Sequence, residues 1–361
     1  MTLTSAFKHF LDERIPFVSY RLPSEKEPVS LVGGVFSDKL PAHKYPFFVF
    51  APFDLTKQYK VQYFSFQKKF EGFNPEGLKQ FQSTTKPEIV STFMEPPITG
   101  FEEFAEQASS IISLLKQGSL NKVVLSRVIR NETQIPLNTA ETFVALCKKY
   151  PEAFVYILSD GENQHWLGAS PETLLQVKDG TGMTMSLAGT QATGNKENKD
   201  IIWEHKETAE QNFVTDYISE KLRNFGATDI QKSETETIFA GKIAHLRTKF
   251  SFKMAEESSI LDLAQNLHPT PAVCGTPAEK AIEIIRKTEK HDRAFYAGYL
   301  GMIENEENAQ IFVNLRCMQI WKNYAYLYVG GGLTAESDIK KEWEETLLKA
   351  ETLLAVIANN S

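Results

Sequence analysis

Apolar positions along the chain recur in two rhythms, and the places where one gives way to the other divide it into strands and helices. In the first hundred residues, YPFFVFAPF and YKVQYFSF are short, dense apolar runs with Pro, Gly and Lys clustered between them, which predicts strands. A helical rhythm over about 101–117 is followed by LNKVVLSRVIR, a predicted strand. FVYILSD, HWLGASPETLLQV and MTMSLAGT predict further strands broken by turns, and from about 204 to 224 the pattern is helical again. The second half has strands near YLGMIENEENAQIFVNLRCMQI and YAYLYVGGG and closes on a long helix over about 338–358. Hairpin-like neighbours without steady strand–helix alternation predict an α+β class, with antiparallel sheets and segregated helices. No repeat, low-complexity stretch or linker appears. The expected organisation is one large domain, with residues 101–361 as its core and a β-rich portion, residues 1–100, packed on it.

Two of these helices carry acids where apolar residues are expected. On the 205–224 helix, Phe213, Val214, Tyr217, Ile218 and Leu222 form the apolar stripe, and Glu207 and Glu210 continue it toward the N-terminus. On the last helix, Ser337 or Asp338 is a plausible N-cap, and Trp343, Leu347, Ala350, Leu354 and Ile357 form one stripe. Glu342, Glu345 and Lys349 form a second line that Leu353 and Val356 extend, so that line also faces protein. Buried carboxylates are costly unless paired or bound to a cation. Two i, i+3 pairs on separate helices suit a hard divalent ion such as Mg²⁺, which takes one or two carboxylates plus water and substrate oxygens. The alternative is that early-turn glutamates stay solvated and favour the helix dipole.

Composition narrows the partners. With 361 residues, 42% of them hydrophobic, the chain can bury a substantial core, and its 24% charged residues are ordinary for a globular enzyme. A net charge of −7 argues against nucleic acid or an anionic membrane as the main partner, though not against an anionic substrate held by a local cation. Cys147, Cys274 and Cys317 are scattered without CxxC spacing, which is neither a disulfide framework nor a zinc site and fits a reducing compartment. Charges run through the apolar residues of MTLTSAFKHFLDERIPF, so it lacks a signal-peptide core, and no apolar run is long enough to span a bilayer. A cytoplasmic protein is expected.

Ten segments then occur in a telling order: LNKVVLSR, WLGASPETLL, SLAGT, KETAEQNFV, HLRT, LHPTPAVCGTP, FYAGYLG, NLRC, GGGL and EWEETLLKA. In this order the chain resembles the chorismate-utilising enzymes over roughly residues 100–358. That family includes isochorismate, salicylate, anthranilate and aminodeoxychorismate synthases. The resemblance implies a large domain of two packed antiparallel β-sheets flanked by helices, with the active site in a cleft. It places the metal glutamates at Glu210 and Glu345, with Glu207 and Glu342 as accompanying acids, and Mg²⁺ as the cofactor. It implies chorismate, a ring dicarboxylate, as substrate. Arg316 matches the arginine for a substrate carboxylate, a task suited to a bidentate fork. Gly189, Thr190, His245, Ala272, Tyr296, Gly330 and Lys349 match other substrate contacts, although His245 is equally suited to a structural hydrogen bond.

The resemblance also separates the branches. Water addition at ring C2 with loss of the C4 hydroxyl gives isochorismate, and water needs a positioned base. Lys122 stands where isochorismate and salicylate synthases carry a basic lysine and the anthranilate branch carries glutamine. Glu172 matches the general acid for the departing hydroxyl, a task that requires a raised pKa. Ala188 disfavours the aminodeoxychorismate branch, and Ala272 favours stopping at isochorismate over eliminating pyruvate. The expected activity is an isomerase, an isochorismate synthase, serving menaquinone or siderophore biosynthesis and needing no amidotransferase subunit. Its rivals are a salicylate synthase and, behind it, an ammonia-using synthase; a glycoside hydrolase leaves Lys122 and Arg316 unexplained. The chain departs from the family at Gln211 (usually His), Ala294 (usually Gly) and Gly331 (commonly Ala).

Overall fold

The computed structural model describes residues 3–43, 45–72, 75–82, 93–132, 138–162, 165–193, 201–240, 243–255 and 258–357. Helix α1 (Leu3–Asp12) leads into strands β1 (Phe17–Arg21), β2 (Val29–Ser37), β3 (Phe47–Ala51) and β4 (Gln62–Glu71). A short α2 (Pro75–Lys79) and the anticipated α3 (Phe101–Lys116) precede β5 (Lys122–Glu132) and α4 (Thr139–Lys149). Next come β6 (Phe154–Ser159), β7 (His165–Ser170), β8 (Thr173–Lys178), β9 (Thr181–Ala192) and α5 (His205–Asn224). Strands β10 (Thr228–Lys232), β11 (Glu236–Ala240) and β12 (Ile243–Lys253) are followed by α6 (Ile260–Leu267), β13 (Gly275–Thr276) and α7 (Ala278–Thr288). The chain closes with β14 (Tyr299–Ile303), β15 (Ala309–Val313), β16 (Cys317–Trp321), β17 (Tyr324–Leu333) and α8 (Ile339–Ile357).

Every described pairing is antiparallel. One run of neighbours is β13–β5–β17–β16–β7–β6–β1–β2. A second run is β4–β3–β14–β15–β8–β9–β12, with β10 and β11 on β12. Strand β2 joins the two, because it pairs with β1 over Val29–Val32 and with β4 along its whole length. The α+β antiparallel class is the anticipated one, with its two runs linked into a continuous network. Gly33 and Gly34, in the middle of β2, have φ of 69° and 98°. A side chain at Gly34 would lie 1.8 Å from the Ser65 carbonyl oxygen, so the close approach of β4 requires glycine there.

Alternation along β6 shows how the layers form. Phe154, Tyr156 and Leu158 enter a core that also takes Phe48 and Phe50 of β3, Leu175 of β8 and Phe312 of β15. Val155 and Ile157 point the other way, into a second core with Phe7 and Phe10 of α1, Phe143 and Leu146 of α4, and Leu353 and Val356 of α8. Helix α8 thus lies on the outer face of the first run. Asp338 caps it, accepting a hydrogen bond from the Lys341 N–H at 2.9 Å. Its buried side is Glu342, Thr346, Ala350, Leu353, Val356 and Ile357, whereas Leu347 is exposed. The acid-bearing line, not the stripe through Leu347, is therefore the more buried one. Burial of Leu353, Val356 and Ile357 stabilises by roughly 1.5–3 kcal/mol each, which holds the helix down and carries Glu342 inward with it.

Helix α5 shows a similar departure. Its buried residues are Gln211, Val214, Thr215, Ile218 and Leu222, while Phe213 and Tyr217 of the expected stripe are only half-buried. Gln211 Nε2 donates to Ser186 Oγ at 2.8 Å and to Thr248 Oγ1 at 3.0 Å. The polar anchor ties α5 to β9 and β12, so the position that departs from the family's usual histidine is a packing site in this chain.

Candidate active site

A cleft open to solvent lies beside β5 and β17. Glu172, Thr190, Glu210, His245, Ala272, Tyr296, Arg316, Gly330 and Lys349 all line it, nine of the residues singled out from the sequence. They arrive from distant stretches of chain: the β7–β8 turn, β9, α5, β12, the segments before β13 and β14, the β15–β16 turn, β17 and α8. Glycines thin the wall made by β17. A side chain at Gly332 would sit 2.7 Å from Lys122 Cε, and one at Gly330 would sit 2.9 Å from the Tyr296 hydroxyl. At Gly331 the nearest atom, Glu342 Oε2, would be 3.4 Å away, which explains why an alanine is compatible with this position elsewhere.

Lys122 lies behind this wall. It is the first residue of β5, only 1% exposed, and its ammonium donates to Glu210 Oε1 at 2.6 Å. Glu172 is also buried, and burial pushes its carboxyl up to about 8 while the charge of Lys122 works in the opposite direction. Glu210 is moved the other way. Burial opposes its charge, but Lys122, Lys349 and Lys206 together hold it below the ordinary carboxylate range.

Arg316 is buried and has φ of 47°, a left-handed conformation that L side chains rarely adopt. Burial lowers its pKa to about 10, so it stays charged near neutral pH. Its Nη1 donates to Thr352 Oγ1 at 3.0 Å and its Nη2 lies 3.2 Å from His245 Nε2. The other ring nitrogen of His245 is 3.0 Å from the Gly189 carbonyl oxygen and 3.4 Å from Thr190 Oγ1. These partners define one tautomer, with Nδ1–H donating to Gly189 and Nε2 accepting from Arg316. Burial, Arg316 and Lys349 push the imidazole down to about 3, so it is neutral. His245 therefore orients Arg316 even as it lines the cleft. Gly189, at φ of 63°, lies where the β9–β12 register shifts, and its carbonyl serves the histidine.

The remaining acids divide. Lys349 Nζ bonds to Glu345 Oε1 at 2.7 Å and to the Gly330 carbonyl at 2.9 Å. Glu342 is 3% exposed and accepts from Ser337 Oγ and Lys206 Nζ, both at 2.7 Å. Burial and the neighbouring Glu345 raise its pKa. Glu207 departs from the expectation that it faces the interior with Glu210. It forms a capping box with Glu204, whose backbone N–H donates to Glu207 Oε2 at 3.1 Å. The unpaired N–H groups of a first helical turn compete for such a carboxylate, and here they engage it.

Lys206 was not among the residues singled out from the sequence. Burial works against its charge, yet contact with Glu342 and the proximity of Glu210 and Glu345 hold its pKa above the usual value. Its place four residues before Glu210 on the same helix was the available signal, but an early-turn lysine reads as solvated. Among the described residues no three His, Cys, Asp or Glu side chains converge into a ready coordination group. Glu210, Glu342 and Glu345 are instead each engaged by a lysine. Hard oxygen donors gathered around an ammonium are nonetheless the donor chemistry Mg²⁺ uses, and one or two of them suffice.

The cleft region thus gathers one acid whose pKa is raised, others each engaged by a lysine, and a fixed arginine. Residues 56–358 match the family described as chorismate binding enzyme, and the chain belongs to that family. It is 28% identical over 263 residues to isochorismate synthase MenF of Bacillus subtilis, covering 71% of this chain and 55% of that protein. It is 29% identical over 285 residues to isochorismate synthase EntC of Escherichia coli, covering 77% and 72%. The chain thus spans little more than half the length of some of the curated relatives it matches. Among solved structures, the menaquinone-specific isochorismate synthase MenF of Escherichia coli superposes with a TM-score of 0.80 at 20% identity, over 95% of this chain and 88% of that one. Anthranilate synthase component I of Streptococcus pneumoniae gives 0.68 at 19% identity, over 85% and 80%, so the fold is shared across branches of the family. No helix among the described residues is long and apolar enough to cross a membrane.

Proposed function

We propose that the protein is an isochorismate synthase, converting chorismate to isochorismate by addition of water at C2 with loss of the C4 hydroxyl. The observation that carries this reading is Glu172, a buried carboxyl with a pKa near 8 inside the cleft and within electrostatic reach of a buried lysine. At neutral pH it holds the proton that a departing hydroxyl requires. Lys122 is assigned to take the proton of the attacking water, a role for its neutral amine; here its ammonium is held by Glu210 and packed beneath Gly332. Arg316, fixed by Thr352 and His245, is assigned to a substrate carboxylate, and its planar fork sets the orientation of the ring. Tyr296 and Ala272 bound the space beside the ring.

Glu210 and Glu345 are assigned to hold Mg²⁺, with Glu342 beside them; the ion, when bound, supplies positive charge for a substrate carboxylate. Glu207, engaged by its helix N-terminus, is assigned no direct contact. The relatives named as isochorismate synthases support water as the nucleophile, and Lys122 supports it against ammonia. No amidotransferase subunit is assigned for that reason.

The test is incubation of purified protein with chorismate and Mg²⁺, with EDTA and ammonium controls, followed by chromatography and mass analysis. The expected product is a metal-dependent isomer of unchanged mass without pyruvate. Salicylate with pyruvate, or an amino product formed only with ammonium, would replace the proposal.

A further inference from the structure

Three lysines engage the acids of the cleft, and they differ in how firmly they are held. Lys122 is 1% exposed and packed under β17, while Lys349 is tied both to Glu345 and to the Gly330 carbonyl. Lys206 is 30% exposed and its ammonium donates to Glu342 at 2.7 Å, while interacting electrostatically with Glu210 and Glu345 as well. It stands in the first turn of α5, where the helix dipole disfavours a cation. A long flexible stem, partial exposure and an unfavourable helix position all lower the cost of its leaving. Of the acids it serves, Glu342 is buried and feels the charge of Glu345, while Glu210 and Glu345 are half-buried, so a cation beside them stabilises their charge.

We propose that Lys206 is a built-in counter-ion, which pairs with Glu342 near Glu210 and Glu345 in the metal-free protein and swings to solvent when a divalent cation binds. Rather than being a ligand, it sets the affinity for the ion by competing with it. The inference rests on the Mg²⁺ reading above. It predicts that Lys206→Met binds Mg²⁺ about tenfold more tightly than the unsubstituted protein, since both a competitor and a like charge are removed. Lys206→Arg keeps the charge and is expected to bind Mg²⁺ with an affinity near that of the unsubstituted protein.

The experiment is calorimetric titration of the full chain and both variants with MgCl₂ alone, alongside thermal melts with and without the salt. The expected result is the tenfold gain for Lys206→Met only, together with a lower melting temperature in EDTA that Mg²⁺ restores. Equal or weaker Mg²⁺ binding by Lys206→Met, with binding intact in the unsubstituted protein, would overturn the counter-ion role and leave the metal reading standing. No Mg²⁺ binding by any of the three proteins would overturn both.

Discussion

Glu172 and Glu210 line the same cleft, and their surroundings drive them in opposite directions. Glu172, in the turn between β7 and β8, meets burial with only the charge of Lys122 to offset it and is pushed up to about 8. Glu210, on α5, is half-buried and desolvation works against its charge as well, but Lys122 touches it and Lys349 and Lys206 stand near, so its charge is retained. Identical side chains lining one cleft thus become a proton donor and an anion. The number of cations brought up by the fold decides which is which, and burial alone does not.

The comparison can be broken most sharply at Glu172. Glu172→Gln keeps the shape and removes the proton, and turnover of chorismate is expected to fall by about 10²–10⁴ in steady-state assays. Retained turnover would make the raised pKa incidental. The cations of the cleft have separate jobs, which Arg316→Lys sharpens. Losing the planar fork that His245 and Thr352 hold is expected to raise KM by about tenfold or more, with a smaller change in kcat.

Stability offers a third handle. Glu172 has a higher pKa folded than unfolded, so its protonated form stabilises the fold fully below about pH 4.5, and that contribution is lost as pH rises through about 8. Denaturant unfolding between those limits is expected to show stability falling by up to about 1.4 kcal/mol per pH unit from this group, a slope that Glu172→Gln abolishes. The smallest effect belongs to Ala294, whose φ of 47° lies in the left-handed region where the family usually has glycine. Ala294→Gly is expected to stabilise by up to about 1 kcal/mol in the same unfolding experiment, with activity unchanged.

Much of this site was legible in the sequence because its residues sit in short ordered segments, and because acids interrupted two apolar stripes. Glu342 and Glu345 were readable as facing protein since Leu353 and Val356 continued their line. What stayed hidden depends on contacts between segments far apart in the chain. Glu207 has the same helical phase as an interior residue, yet a backbone N–H one turn earlier captures it. His245 was readable as a histidine near substrate, but its tautomer follows from Gly189 and Arg316, which lie 56 and 71 residues away. Lys206 shares a helix face with Glu210 four residues on, but its hydrogen-bonding partner Glu342 lies 136 positions away. The joining of two strand runs through β2 was likewise invisible, since only the partner β4 shows why Gly34 must lack a side chain.

The claim at the centre of this account is that Glu172 carries a proton at neutral pH while Glu210 does not. Infrared difference spectra of the unsubstituted protein against Glu172→Gln, followed from pH 5 to 9, test it directly. A protonated-carboxyl band that persists at pH 7 and titrates away near pH 8 is the predicted result. A carboxylate signal already complete at pH 6 would contradict it.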